Sequence, residues 1–239
     1  MLSKSQLKLI TSLKHKKFRQ QYGFFVVEGV KTITELLQSS LELQTLFTTQ
    51  TFNIDAKNEV LISDAELKRI SFLTTPNKAL AVFKIPTPKP IEDKGLIIAL
   101  DAIRDPGNLG TIVRLCDWFG VKDLVCSNET VDCYNPKVIQ ATMGSITRVN
   151  ISYLNLVEFL KDSSMPVYGA FMEGENIYKK TNLKDGILIM GNEANGISKE
   201  VEAFVKEKVS IPRFGSLQQT ESLNVATATA ILLSEFRRC

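Results

Sequence analysis

Three short polar clusters, each set into an apolar stretch, hold the residues of this chain that could do chemistry. The first is Asp105-Pro106-Gly107-Asn108-Leu109-Gly110 with Arg114. The second is Gly191-Asn192-Glu193-Ala194-Asn195-Gly196, and the third is Ser222-Leu223-Asn224-Val225. Each follows or borders a strand-like run, which puts it at the rim of a buried sheet, where small ligands bind. The groups on offer are a guanidinium, a carboxylate, amides and a hydroxyl, with glycines that let backbone approach a ligand closely.

Pro106-Gly107 forms a tight turn into the helix that carries Arg114, and Asn108 has the side chain of a helix cap. Arg114 lies among Ile112, Val113 and Leu115. A buried guanidinium there needs a carboxylate or phosphate partner, so a structural ion pair and a functional arginine both stay open. Glu193 sits between Gly191 and Gly196, where it could orient the loop, accept a substrate hydrogen bond or pair with Arg114. The plainer alternative is an exposed turn at Asn195-Gly196 with Ser198 capping the next helix. Ser222 and Asn224 both suit the cap of the apolar terminal helix; one cap needs one of them, and the other is free to face a ligand. Ala226, Ala228 and Ala230 leave room for close packing, including against a second subunit.

Several classes lose support. Neither G-x-G-x-x-G nor G-x-x-x-x-G-K-[ST] occurs, which argues against dinucleotide redox chemistry and ATP hydrolysis. Cys116, Cys126, Cys133 and Cys239 include no C-x-x-C pair, and the single histidine, His15, is far from them, so no metal site is expected. No run reaches the roughly 20 apolar residues that span a bilayer, and the N-terminus lacks a signal core; a reducing cytoplasm is the expected location. The net charge is only +3, yet residues 1–20 hold Lys4, Lys8, Lys14, Lys16, Lys17 and Arg19 with no acid. That stretch is either a solvated helix face or a phosphate-binding patch.

The elements that must position these residues fall into two sets. Residues 1–83 read as a small mixed module: helices over 2–13, 28–37 and 64–70, a basic link over 14–19, and strands over 24–27, 43–48 and 80–83. Ser63 and Glu66 have capping-box spacing. Pro86, Pro88 and Pro90 break regular structure, giving domains 1–85 and 95–239 joined by a linker 86–94. Beyond it, apolar strands over 96–100, 121–126, 149–152, 167–171, 187–190 and 209–211 alternate with helices over 109–119, 137–143, 155–161, 198–206 and 224–236. Strands apolar throughout, separated by helices, predict an α/β fold with a mostly parallel sheet covered on both faces.

Taken together, Asn108-x-Gly110-x-x-x-Arg114, Gly191-Asn192-Glu193-x-x-Gly196 and Ser222-Leu223-Asn224-Val225 resemble motifs 1, 2 and 3 of the SpoU/TrmH family of RNA ribose 2'-O-methyltransferases, within the SPOUT superfamily. Phe25-Val26-Val27-Glu28-Gly29 is similar to the segment that opens the family's N-terminal domain. The resemblance implies a C-terminal domain with a deep trefoil knot, preceded by a smaller α/β domain like ribosomal protein L30e that holds structured rRNA or tRNA. It implies S-adenosylmethionine as cofactor and a homodimer. Carried onto this sequence, Asn108, Arg114, Glu193, Ser222 and Asn224 form the catalytic set. The cofactor set is Ala170, Phe171, Met190, Gly191, Asn192, Gly196, Ile211, Leu223 and Ala226, and Lys14, Lys16, Lys17 and Arg19 would position RNA phosphates.

The chemistry asks for such a set. A sulfonium methyl is already electrophilic, so the protein must align the 2'-oxygen, remove its proton and exclude water, without a metal or covalent intermediate. A guanidinium is a poor base, which favours Arg114 as a charge that orients phosphate and stabilises developing alkoxide. Two departures from the family pattern stand out: a longer stretch over 214–221, with Gly215, Gln218 and Gln219, and Ala226 where many relatives have serine. The competing readings are a catalytically silent RNA-binding protein with the same fold and a base-modifying methyltransferase of the wider superfamily.

Overall fold

Where apolar residues alternate or run unbroken, the chain lays down two separate sheets. The computed structural model describes every residue except Met1, Asn53, Ala56, Asn182, Lys184, 216–221 and Cys239. The first elements are α1 (Lys4–Ser12), α2 (Lys16–Tyr22), β1 (Phe24–Glu28), α3 (Val30–Leu37), β2 (Leu43–Thr48), β3 (Glu59–Leu61), α4 (Asp64–Ile70) and β4 (Ala79–Lys84). Their sheet has the order β1-β4-β2-β3, with β4 antiparallel to both neighbours and β2 parallel to β3. Beneath it, Ile10, Leu13, Val26, Phe47, Leu67, Ile70 and Leu80 form one apolar cluster.

Local chemistry sets these boundaries. Ser3 and Gln6 form a capping box at α1, and Ser63 and Glu66 form the expected one at α4. Most of the stretch expected as a basic link is instead α2, which closes at Gly23 with φ 68°, a left-handed conformation that glycine adopts without steric cost. β3 is additional to the expected strands; three partly exposed residues carry too little pattern to be read.

The chain continues through β5 (Ile97–Leu100), α5 (Pro106–Trp118), β6 (Asp123–Cys126), α6 (Pro136–Thr142), β7 (Asn150–Tyr153), α7 (Leu156–Asp162), β8 (Val167–Asn176), β9 (Ile187–Met190), α8 (Lys199–Glu202), β10 (Glu207–Ser210) and α9 (Val225–Phe236). Its six strands take the order β10-β8-β9-β5-β6-β7, and every pair is parallel. The inner strands β5, β6 and β9 are buried at every position, as a sheet covered on both faces requires. No described helix is long and apolar enough to cross a membrane.

The chain divides into two compact units, Met1–Thr87 with Asp132–Thr147, and Pro88–Val131 with Arg148–Cys239. A single cut at the proline-rich stretch places Asp132–Thr147 with the second set of elements; by packing it goes with the first. The physical reason is a buried anchor. Arg19 is 2% exposed. It donates through Nε and Nη2 to Asp132 Oδ2 at 2.9 and 2.6 Å, and through Nη1 to the carbonyls of Leu13 and Lys14 at 2.8 and 2.9 Å. Tyr134 packs its ring 4.8 Å from that of Phe25. No periodicity in either segment announces a pairing across 113 positions.

Candidate active site

β5 and β9 lie side by side with Leu100 opposite Met190, so the loops that leave their C-terminal ends emerge together. Cross-links then fix them. Asp101 Oδ2 accepts from both the amide and the hydroxyl of Ser198, each at 2.7 Å. Asn192 donates its side-chain amide to the Ala102 carbonyl at 2.6 Å, while Ala102 holds φ 57° and donates its own N–H to Ser127 Oγ at 3.0 Å. The second loop closes on itself through Asn192 and Gly196, paired N–H to carbonyl at 2.9 and 2.8 Å. A Cβ on Gly191 would stand 2.3 Å from the Gly196 carbonyl carbon, so only glycine fits where the loop's two ends cross.

Capping decides which side chains are left for chemistry. Asp105, not Asn108, caps α5: its Oδ1 accepts from the Asn108 amide at 2.8 Å. The Asn108 side chain is thereby released. Its Nδ2 donates to Glu193 Oε1 at 2.5 Å, and its Oδ1 accepts from Asn224 Nδ2 at 2.9 Å. Asn224 also caps α9, its Oδ1 accepting from Ala226 and Thr227 at 2.9 and 3.3 Å. That leaves Ser222 as the group not needed for the cap. Ser198 sits at the start of α8 but spends its hydroxyl on Asp101 rather than on the helix. One residue from each polar cluster therefore meets in a single hydrogen-bonded row, Glu193–Asn108–Asn224.

Beside that row lies a cavity of about 1380 Å3. Of the residues expected to bind a cofactor, Ala170, Phe171, Met190, Gly191, Asn192, Gly196, Ile211 and Leu223 line it, and so do Glu193 and Ser222 from the catalytic set. Ala226 does not; it is buried in the first turn of α9, and Val225, Ala228 and Leu232 present the helix to the cavity instead. Met172, Lys208 and Phe214 also form the wall, and sequence reasoning misses them. The first of these lies on an excursion: β10 passes from Gly169 at Lys208 to Glu175 at Val209, so residues 170–174 loop out of register. Two adjacent small residues beside a strand end are the only hint of it in the sequence.

Arg114 is exposed, and no ion pair or hydrogen bond joins its side chain to any described residue. It forms neither a structural ion pair nor a contact with Glu193, and it does not line the cavity. Lys14, Lys16 and Lys17 are exposed. Arg19, expected to position phosphate, does not: its guanidinium is buried, and four of its five N–H donors go to Asp132 and two carbonyls, so it is not presented to a phosphate. The stretch 214–221 singled out for its length lies outside the described residues from 216 onward, which includes Gln218 and Gln219.

Known proteins share this arrangement. Residues 95–234 match the SpoU rRNA methylase family, and residues 4–81 match the MRM3-like substrate-binding domain. A TrmH-family protein from Porphyromonas gingivalis has a solved structure that superposes with a TM-score of 0.89 at 38% identity, covering 99% of this chain and 98% of that one. The AdoMet-bound rRNA methyltransferase from Sinorhizobium meliloti superposes at 0.88 with 28% identity, over 99% and 96% of the two chains. The 23S rRNA (guanosine(2553)-2'-O)-methyltransferase RlmP of Bacillus subtilis is 29% identical over 231 residues, 93% of this chain and 92% of that protein. With its parallel C-terminal sheet, its N-terminal substrate-binding domain and its three motifs joined in one hydrogen-bonded row, the chain belongs to the SpoU rRNA methylase family.

Proposed function

We propose that this chain transfers the methyl group of S-adenosylmethionine to a ribose 2'-hydroxyl of structured RNA, with ribosomal RNA favoured over tRNA by the substrates in the names of its full-length relatives. The observation that carries the reading is the row Glu193–Asn108–Asn224 at the edge of a cavity large enough for a nucleoside. The residues present suit the cofactor. Met190, Ile211 and Leu223 give apolar wall for a purine and a thioether chain, while the turn held by Gly191 and Gly196 offers backbone groups for polar ends. When bound, S-adenosylmethionine supplies an electrophilic sulfonium methyl.

The chain's own residues have the remaining work. Asn108 is fixed in orientation by a carboxylate on one side and an amide donor on the other, so it can hold a sugar without reorganising. Arg114 presents five N–H donors in a fork that matches phosphate. It orients the backbone of the target nucleotide and stabilises charge developing on the 2'-oxygen. Lys14, Lys16 and Lys17 add phosphate contacts that position RNA without choosing a base. The chain acts as a homodimer, as its resemblance to the family implies.

The test is transfer of label from S-adenosylmethionine to ribosomal RNA from cells that lack this gene, followed by nucleoside analysis. A 2'-O-methylnucleoside is the expected product. RNA binding with no transfer would support a silent binding protein, and a methylated base would move the chain to the base-modifying branch. Sedimentation at several protein concentrations tests the dimer.

A further inference from the structure

Among the described residues nine large apolar side chains are strongly exposed, and four of them, Met172, Tyr178, Phe214 and Leu223, gather at one place. Met172, Phe214 and Leu223 line the cavity, and the ring of Phe214 stands 6.2 Å from that of Tyr178 at an interplanar angle of 36°. Exposed apolar residues scattered singly need no explanation, but a group on the rim of a ligand cavity marks a binding surface. Phe214 is 84% exposed, so one of its faces is bare.

The tyrosine behind it is rigidly mounted. Its amide donates to Asn176 Oδ1 at 2.9 Å, and Ile177 beside it is fully buried. Lys180, two residues on, pairs with Glu175 at 2.9 Å and Glu207 at 2.5 Å, which ties this turn to β8 and β10. A flat apolar face on a fixed support suits a flat ligand.

The reaction names the ligand's chemistry. A ribose that enters a protein cavity must leave its helical stack, and the base it carries, or the base next to it, then loses its stacking partners. An aromatic ring restores them with little regard to sequence. We propose that Phe214, backed by Tyr178, is a platform on which an unpaired base of the substrate RNA stacks as the target ribose enters the cavity. The inference rests on the methyltransferase reading above. The rival occupant of the ring is the adenine of the cofactor.

The chain has one tryptophan, Trp118. In a Trp118→Phe background, Phe214→Trp therefore gives a single reporter at the platform. Its fluorescence is titrated with S-adenosylmethionine, with a hairpin RNA carrying an unpaired loop, and with the same stem closed as a continuous duplex, binding being followed in parallel by filter retention. Quenching by the hairpin alone is the expected result. Quenching by the cofactor alone, equal quenching by duplex, or no quenching by hairpin, bound or not, overturns the proposal. A kinetic arm is independent of the reporter: Phe214→Ala raises KM for unmethylated RNA about tenfold, Phe214→Tyr restores it, and affinity for S-adenosylmethionine is kept. An unchanged KM also overturns it. Absence of transfer by the unaltered chain strikes the methyltransferase reading instead and leaves the fluorescence arm to decide the platform.

Discussion

Asn108 and Asn224 stand 116 positions apart in the chain and share a hydrogen bond of 2.9 Å, with the amide of Asn224 donating to the carbonyl of Asn108. The direction is forced from both ends. Asn224 must turn its oxygen to the first amides of α9, and Asn108 must turn its nitrogen to the Glu193 carboxylate at 2.5 Å. Neither amide can flip without leaving two donors or two acceptors facing each other.

That constraint makes Asn108→Asp an informative change, because it alters one atom and keeps the shape. An ionised aspartate only accepts, so it would face the Glu193 carboxylate at hydrogen-bond distance with no proton between them. We expect the single-turnover rate of methyl transfer to fall on the order of 10²-fold or more, with the fold and thermal stability nearly kept. The rate should recover partly below neutral pH, where the two carboxylates can share a proton. A variant with wild-type rate at neutral pH would remove Asn108 from the reacting geometry.

Arg114 offers the cleanest separation of structure from function. Its side chain is exposed and has no partner among the described residues. Arg114→Ala should therefore change stability by no more than about 0.5 kcal/mol. Transfer should nevertheless fall on the order of 10²-fold, because a charge at the developing oxyanion is lost. Arg114→Lys keeps the charge and loses the fork. If its pH–rate profile has the wild-type ionisations and only a lower plateau, the arginine is a positioner and not the general base.

What the sequence discloses follows from which interactions are local. The inner strands β5, β6 and β9 are legible because burial on both faces makes them near-continuous apolar runs, as in Ile187-Leu188-Ile189-Met190. The three polar loops are legible because glycine and asparagine interrupt those runs at strand ends. Asn108 reads as a cap because Asp105 and Asn108 are both good caps, and only the folded turn decides between them. Arg19 reads as exposed because a lysine-rich neighbourhood hides a single arginine whose partner, Asp132, lies far along the chain. Phe214 opens the stretch that stands out for its length, but nothing marks its ring as a cavity wall, since one aromatic in a polar loop reads the same whether it is buried or bare.

The contrast between Arg19 and the lysines before it divides RNA binding from folding. Replacing Lys14, Lys16 and Lys17 with glutamine should weaken RNA binding and lower its salt dependence, by about 0.9 in the slope of log K against log salt for each duplex phosphate no longer neutralised. Affinity for S-adenosylmethionine should be unchanged. Arg19→Ala behaves differently, because it leaves Asp132 without its buried partner and strips donors from two carbonyls. A destabilisation of about 3–5 kcal/mol is expected, seen as early urea unfolding of the N-terminal unit. Unfolding curves that match the wild type would return Arg19 to the surface.

Acid should release the N-terminal unit through Glu66. Its carboxylate accepts from the amides of Ser63 and Leu2 at 2.9 and 2.7 Å, and these bonds hold its pKa at about 2 instead of the ordinary 4.5. The sign follows from the depression. The folded state favours the charged carboxylate, so the stabilisation is complete above pH 4.5 and is lost as the pH falls from there toward 2. Because the group is half-buried at the surface, the contribution is partly screened by solvent and salt. Glu66→Gln should lower the melting temperature of the N-terminal unit at pH 7, and the gap to wild type should close as the pH approaches 2. The same convergence should weaken at high salt, where the wild type already loses part of the effect. A gap that stays constant from pH 7 to pH 2 would mean that the glutamate acts through packing and not through its charge.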